Sequence, residues 1–252
     1  MIIKDLSYSY PNKQVLDNVS FSIKDKKITT ILGPNGCGKT TMFQLMTKNL
    51  KLQTGTICLE DKNINEIKLK EFARKVSIVH QYNTAWPDIT VEKLVSYGRV
   101  PYVKLGRGYS REDKEKIAWA MNVTGIDSFK GRPLATLSGG QKQRAWIAMA
   151  LAQNTEILLL DEPTTYLDIK YQIEILRLIK RLNEEYGITI VMVLHDINQA
   201  IAFSDEIIGL KDGKVMVCGS QEKELNPKAI EMLYDINLKM ETVQGKKVIL
   251  ME

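Results

Sequence analysis

The chain is poor in the features that would place it outside ordinary globular proteins. Only three of its 252 residues are cysteine, Cys37, Cys58 and Cys218. They are far apart, odd in number and form no C-x-x-C pair, which argues against a zinc site or disulfide framework and for reduced thiols. Long hydrophobic runs are missing: a stretch such as Trp146 to Ala152 falls far short of the ~20 residues that span a bilayer. The start, Met1-Ile2-Ile3-Lys4-Asp5, lacks the basic-then-apolar layout of a secretory signal. The expectation is a cytosolic protein that reaches a membrane only by docking on a membrane protein. No polybasic block occurs, and the net charge of +5 comes from 35 basic and 30 acidic residues interspersed along the chain. That pattern reads as a solvated mixed-charge surface and gives no argument for nucleic acid. Internal repeats and low-complexity tracts are also missing.

What is present is an alternation of short apolar runs with helical periodicity. Ile3, Leu6, Tyr8 and Tyr10 fall on one side of a rough alternation, and Val19 to Ile23 alternates cleanly, so the first thirty residues read as β-structure. Ile28 to Leu32, Val76 to Val79, Ile157 to Leu160 and Ile188 to Leu194 are all-apolar or nearly so, as strands buried on both faces require. Helices are expected over Thr41–Leu50, Leu69–Lys75, Val91–Val100, Ser110–Val123, Gly139–Gln153, Ile169–Tyr186 and Asp196–Phe203, with a short one opened by Pro227. Hairpins are expected around Asp212-Gly213 and Gln244-Gly245. A mostly helical stretch over 82–152 therefore interrupts a β/α pattern occupying 1–81 and 153–252. Strands alternating with helices argue for a largely parallel α/β sheet, with an antiparallel β edge from the amino terminus.

Three stretches carry chemistry. Gly33-Pro34-Asn35-Gly36-Cys37-Gly38-Lys39-Thr40-Thr41 fits the phosphate-loop pattern, set between a strand and a helix. Such a turn aims backbone N–H groups and the positive end of a helix dipole at one point. Lys39 would reach the β- and γ-phosphates of a nucleotide and the Thr40 hydroxyl would ligate Mg²⁺. Cys37 lies near a helix N-terminus, where a thiol pKa tends to fall; it is expected to alkylate readily and to be shielded by bound ATP. The second stretch, Ile157 to Pro163, delivers Asp161 and Glu162 at the carboxyl end of a strand, where α/β sheets place their ligands. Asp161 would hold Mg²⁺ and Glu162 would polarise an attacking water. In the third, Leu137-Ser138-Gly139-Gly140-Gln141, a serine and two glycines start a helix, again an anion-binding arrangement.

LSGGQ followed by Gln143-Arg144, 23 residues before Asp161, resembles the signature motif of ATP-binding cassette ATPases. The resemblance implies a P-loop NTPase (RecA-like) core with an amino-terminal antiparallel β subdomain and an inserted α-helical subdomain. It implies that Gln81 is the Q-loop glutamine contacting Mg²⁺ and water, that His195 reaches the γ-phosphate, that Leu167-Asp168 is the D-loop, and that Tyr10 stacks on adenine, with Tyr8 as the other candidate. His80 is expected to be structural. In that family two chains pair head to tail, so that Ser138 to Gln141 of one copy closes over ATP bound at Lys39 of the other. The phrases TVEKLVSYGRVP, LSGGQKQRAWIAMALA, DEPTTYLD and HDINQA resemble more narrowly the ATPases of iron-siderophore and cobalamin importers. That implies a separate membrane permease, a substrate-binding protein outside, and a location on the cytoplasmic face of the membrane. A permease helix would dock in a groove lined by parts of 82–105, with Trp86 and Tyr97 as contact candidates. A cassette ATPase for another cargo, or one acting on ribosomes or DNA, are the alternatives. The family more often has serine at the positions of Cys37 and Thr40; Thr40 keeps the hydroxyl, and Cys37 contributes through its backbone. No additional regulatory domain is expected after the last short helix.

Overall fold

The computed structural model of the chain describes residues 1–103, 106, 108–243 and 245–250. Lys104, Leu105 and Arg107, in the expected link after Pro101, lie outside the described residues, as does Gln244 of the last expected turn. In chain order the elements are β1 (Ile2–Tyr10), β2 (Lys13–Ser22), β3 (Ile28–Leu32), α1 (Lys39–Met46), β4 (Thr54–Leu59), β5 (Lys62–Asn63), α2 (Leu69–Phe72) and β6 (Val76–Val79). There follow α3 (Val91–Ser96), α4 (Arg111–Thr124), α5 (Gly139–Ala152), β7 (Ile157–Leu160), α6 (Ile169–Tyr186), β8 (Thr189–Val193) and α7 (Ile197–Phe203). The chain ends with β9 (Glu206–Lys211), β10 (Lys214–Ser220), α8 (Gln221–Glu224), α9 (Pro227–Tyr234), β11 (Lys239–Val243) and β12 (Lys246–Leu250). Two compact units result, one from Met1–Ile67 with Thr189–Glu252, the other from Lys68–Ile188.

In the first unit, β3 is buried at all five residues and pairs in parallel with β8 on one side and β9 on the other. That suits its β-branched text, in which Thr29 and Thr30 stand buried among Ile28, Ile31 and Leu32: neither face meets water. β10 closes this sheet antiparallel to β9 through the expected turn, where Asp212 and Gly213 both take positive φ (47° and 76°), as a two-residue hairpin loop requires. A second, antiparallel sheet runs β2-β1-β4-β5. The register of β1 on β2 shifts between Ile3 and Leu6, where Asp5 has φ 50°. This bulge lets Ile3 and Leu6 share the buried face with Tyr8, while Tyr10, paired with Lys13 at the end of the strand, is 42% exposed. Tyr8 and Tyr10 meet edge to face at 5.2 Å.

In the second unit, β6 and β7 pair in parallel, Val79 opposite Leu160, and α3, α4 and α5 form the helical part. Ser110 opens α4 with a capping box, accepting from the Asp113 N–H while Asp113 accepts from the Ser110 N–H; Ser138 and Gln141 do the same for α5. α6 runs over the residues expected of it and stops at Gly187, φ 65°. α3 ends earlier than its periodicity suggests, tightening into a 3₁₀ turn over Tyr97–Arg99. There Gly98 approaches α5 so closely that a Cβ would lie 2.1 Å from the Met149 carbonyl oxygen. α1 is also shorter than expected. It begins two residues sooner and ends at Met46, and Lys48 just beyond takes positive φ (61°), which a continuing helix does not allow.

Candidate functional site

The phosphate-loop pattern lies where the sequence places it, between β3 and α1. Gly33, Gly36 and Gly38 all take positive φ (147°, 79° and 109°). Gly33 is the most constrained: a Cβ there would sit 2.1 Å from the Leu210 carbonyl oxygen and 2.8 Å from Cys37 Sγ, so only glycine fits. α1 has Gly38 at its N-cap and no side chain capping its first turn, in contrast to α4 and α5. The start of such a helix can take an outside acceptor, and a triphosphate fits it. Lys39 is buried, and its ammonium donates to the carbonyl oxygens of Gly33 (2.7 Å) and Pro34 (2.9 Å). Thr40 is exposed and Thr41 buried. β8 of the same unit carries the chain into Leu194, whose N–H donates to the Ile31 carbonyl. His195 follows at the carboxyl end of β8, exposed.

Cys37 departs from its expected reactivity. Its side chain turns inward and is only 3% exposed. Burial pushes the thiol pKa up and outweighs the opposing pull of Lys39, whose Nζ is 4.0 Å away. The helix-terminus argument therefore gives the wrong sign here. Alkylation of Cys37 in the native protein is expected to be slower than that of Cys218, which is exposed, and peptide mapping after a timed thiol-labelling pulse checks this.

In the second unit, β7 leads into Asp161, which is buried and whose N–H donates to the Val79 carbonyl. β6 and β7 thus end side by side, and their exits bring Gln81 and Glu162 together. Gln81 Nε2 donates to Glu162 Oε2 at 2.6 Å. The same oxygen accepts from Thr165 Oγ1 at 3.0 Å, a partner that no motif announced. Glu162 adopts φ 47° and Tyr166 φ 63°; each such non-glycine conformation costs of order 1–3 kcal/mol, a cost found where geometry serves function. Tyr166 is tied to Tyr82 by a hydroxyl–hydroxyl hydrogen bond of 2.7 Å. Asp168, at the N-cap of α6, is exposed and makes no side-chain cap.

The Ser138 hydroxyl accepts from the Gln141 N–H at 3.4 Å, and Gln141 Oε1 accepts from the Ser138 N–H at 3.0 Å. An accepting hydroxyl keeps its own proton to donate, so Ser138 caps α5 and remains able to bond an anionic oxygen. Gly140 has a further reason to be glycine: a Cβ would lie 2.8 Å from the Tyr171 ring.

Among the described residues, no group of three or more His, Cys, Asp or Glu could hold a metal ion. Thr40, Gln81 and Asp161 each carry an oxygen donor, the ligand type that hard cations take. This suits a hard ion that completes its shell with phosphate oxygens and water, as Mg²⁺ does beside a nucleotide.

Residues 16–165 match the family described as ABC transporter. The chain belongs to the ABC transporter family. It is 42% identical over 239 residues, 95% of the chain and 89% of the relative, to the iron(3+)-hydroxamate import ATP-binding protein FhuC of Bacillus subtilis. It is 41% identical over 92% of its length, and 86% of the relative's, to the ferric enterobactin transport ATP-binding protein FepC of Escherichia coli. A solved cassette, dimeric and in a post-hydrolysis state bound to ADP and phosphate, superposes with a TM-score of 0.73 at 33% identity, covering 87% of this chain and 98% of that one. The fold is that of an ATP-binding cassette, an α/β P-loop NTPase, and such a domain binds ATP. No helix among the described residues is long and apolar enough to cross a membrane.

Sequence reasoning missed Thr165, the Tyr82–Tyr166 link and the role of Tyr171 against Gly140. A hydroxyl three residues after Glu162 was the only available hint of the first.

Proposed function

We propose that the chain is the ATP-hydrolysing subunit of an ABC importer for ferric siderophores or a related metal chelate, acting as a peripheral protein on the cytoplasmic face of the membrane through a separate permease. The observation that carries this reading is the joint presence of the phosphate loop, the acidic strand end and the intact LSGGQ helix start in a chain whose relatives are named for ferric-chelate import. In this reading Gly33 to Thr41 hold the triphosphate through backbone N–H groups, and Lys39 leaves the Gly33 and Pro34 carbonyls to meet the phosphates. Tyr10, being the exposed ring of the Tyr8–Tyr10 pair, stacks on adenine. Thr40, Gln81 and Asp161 would hold Mg²⁺, which supplies charge neutralisation at the phosphates when bound. Glu162, held by Gln81 and Thr165, takes the proton of the attacking water, and His195 stabilises the γ-phosphate. Ser138, Gly139, Gly140 and Gln141, with Asp168 beside them on the D-loop, serve the nucleotide of a second copy in a head-to-tail dimer. A substrate-binding protein delivers the chelate from outside.

An apolar groove of about 410 Å³ supports the permease contact. Trp86, Pro87, Leu94 and Tyr97 line it as the expected segment suggests, and Trp146 and Met149 of α5 complete it. Trp86 is 79% exposed, an unusual position for so large an apolar side chain unless another surface covers it. Trp86→Asp is expected to leave the ATPase activity of the isolated chain within twofold and to abolish copurification with the permease. The test of the proposal as a whole is co-expression with the permease of a ferric-chelate importer: a stable complex whose ATPase activity rises when loaded binding protein is added supports it. Failure to associate, or association only with an exporter or a free-ion permease, contradicts it.

A further inference from the structure

β3 ends at Leu32, opposite Gly209 of β9, and the next backbone N–H, that of Gly33, donates to the Tyr234 hydroxyl at 3.1 Å. Tyr234 is the last residue of α9, far away in sequence, and its placement is fixed by its neighbours. Leu233, fully buried, packs so closely on β9 that a Cβ on Gly209 would meet its methyl carbons at 2.8 Å. Lys211 Nζ, at the end of β9, donates to the Met232 carbonyl and to the Asp235 carboxylate, pinning the carboxyl end of α9 where cations favour a helix. Gly33 thus has both polar groups engaged, its N–H by Tyr234 and its carbonyl by Lys39. Burial raises the Tyr234 hydroxyl to about 12, so the phenol stays neutral and remains a neutral acceptor.

We propose that Tyr234 is a positioning residue of the nucleotide site, holding the Gly33–Pro34 segment in the shape from which the loop and Lys39 engage a triphosphate. It touches no reacting atom in this assignment and acts through Gly33. The inference rests on the nucleotide reading of the phosphate loop given above. Removing the hydroxyl leaves a part-buried N–H without its acceptor, a state that a loop escapes by turning the peptide toward water. The binding-competent loop is then a minority conformation, and apparent ATP affinity falls by the fraction that remains competent.

The experiment compares wild type with Tyr234→Phe and Lys39→Ala, using ATP binding, steady-state hydrolysis, thermal melting and amide exchange at Gly33. The expected result is that Tyr234→Phe raises Kd and KM for ATP about tenfold, the size of one buried hydrogen bond, with kcat within twofold and faster exchange of the Gly33 amide. Wild-type Kd and KM in Tyr234→Phe, with Lys39→Ala defective, overturn the positioning role and leave the nucleotide site standing. A parallel fall in kcat and melting temperature with no separate rise in KM makes Tyr234 a stabiliser of α9 only and also overturns it. Undiminished ATP binding by Lys39→Ala removes the nucleotide reading, and the role of Tyr234 with it.

Discussion

Glu162→Gln is expected to lower ATP turnover by about 10²–10⁴-fold, the usual contribution of a positioned general base, while ATP binding stays near wild type. The substitution keeps the shape and the oxygen that Thr165 reaches but removes the basicity. Gln81 Nε2 donates to the same oxygen, at 2.6 Å, so the amide oxygen of the variant can keep both partners and Gln81 is expected to stay in place. With hydrolysis blocked, the ATP-bound state accumulates. Size-exclusion chromatography with ATP and Mg²⁺ is then expected to show Glu162→Gln as a dimer and wild type as mostly monomer. Near-normal turnover in Glu162→Gln would remove the carboxylate from the role, whatever the oligomer found. Thr165→Ala tests the same geometry more gently, because it removes a hydrogen bond to Glu162 without touching the carboxylate; a modest fall in kcat with unchanged KM is its signature.

The second large effect concerns stability. Arg99 and Asp113 form a buried ion pair, Nε to Oδ1 at 2.7 Å, with side-chain exposures of 3% and 8%. The guanidinium also donates to the Ala152 carbonyl at 2.9 Å and lies over the Tyr102 ring at 4.0 Å. One charge therefore ties the 3₁₀ turn after α3, the start of α4 and the end of α5. Asp113→Ala leaves the guanidinium buried without its counter-charge, and is expected to cost about 3–5 kcal/mol, read as a fall in melting temperature of roughly 10 °C for a chain of this size. The double substitution Arg99→Met with Asp113→Leu is expected to recover part of the loss, since an apolar pair has no charge to desolvate, while the Asp113 half of the α4 capping box and the donor to the Ala152 carbonyl stay lost. Burial alone would push the Asp113 carboxyl up; the Arg99 and Ser110 hydrogen bonds and the Arg99 charge outweigh it and hold the pKa below the usual carboxylate value. A depressed pKa in the folded state means that the stabilisation is complete above the unfolded value of about 4 and is lost as pH falls through the folded value. Below pH ~4 the difference in stability between wild type and Asp113→Ala is therefore expected to shrink, measured by urea unfolding at a series of pH values. A difference independent of pH would assign the effect to packing alone.

What the sequence disclosed followed from how local each signal was. The buried strands β3, β7 and β8 are legible because a strand covered on both faces favours apolar and β-branched residues without alternation, and α6 is legible because its amphipathic period ends at a glycine. The three motifs are legible because backbone geometry at a phosphate or metal demands particular residues at fixed spacing. Tyr10 is less so: Tyr8 and Tyr10 alternate identically, and only their places in the folded strand, Tyr8 opposite Leu16 and Tyr10 opposite Lys13 at its end, separate the buried ring from the exposed one. Cys37 misled because a helix start is visible in sequence, whereas the inward turn of its side chain beside Gly33 is not. Tyr234, Thr165 and the Arg99–Asp113 pair depend on contacts between residues with no shared pattern. In the case of Tyr234 the partners are separated by nearly the whole chain, so the hydrogen bond that closes the phosphate loop has no trace in the linear text.

The central claim is that the chain is the motor of a ferric-chelate importer, and the most direct measurement is uptake. Permease and chain are reconstituted in vesicles with ATP on the side the chain occupies and radioiron-labelled ferric siderophore with its binding protein on the other. Accumulation that requires ATP, and that falls to background when Glu162→Gln replaces the wild-type chain, is the expected result. ATP hydrolysis by the same vesicles without accumulation of any ferric chelate, or with ATP-driven movement of a different cargo, would contradict the claim.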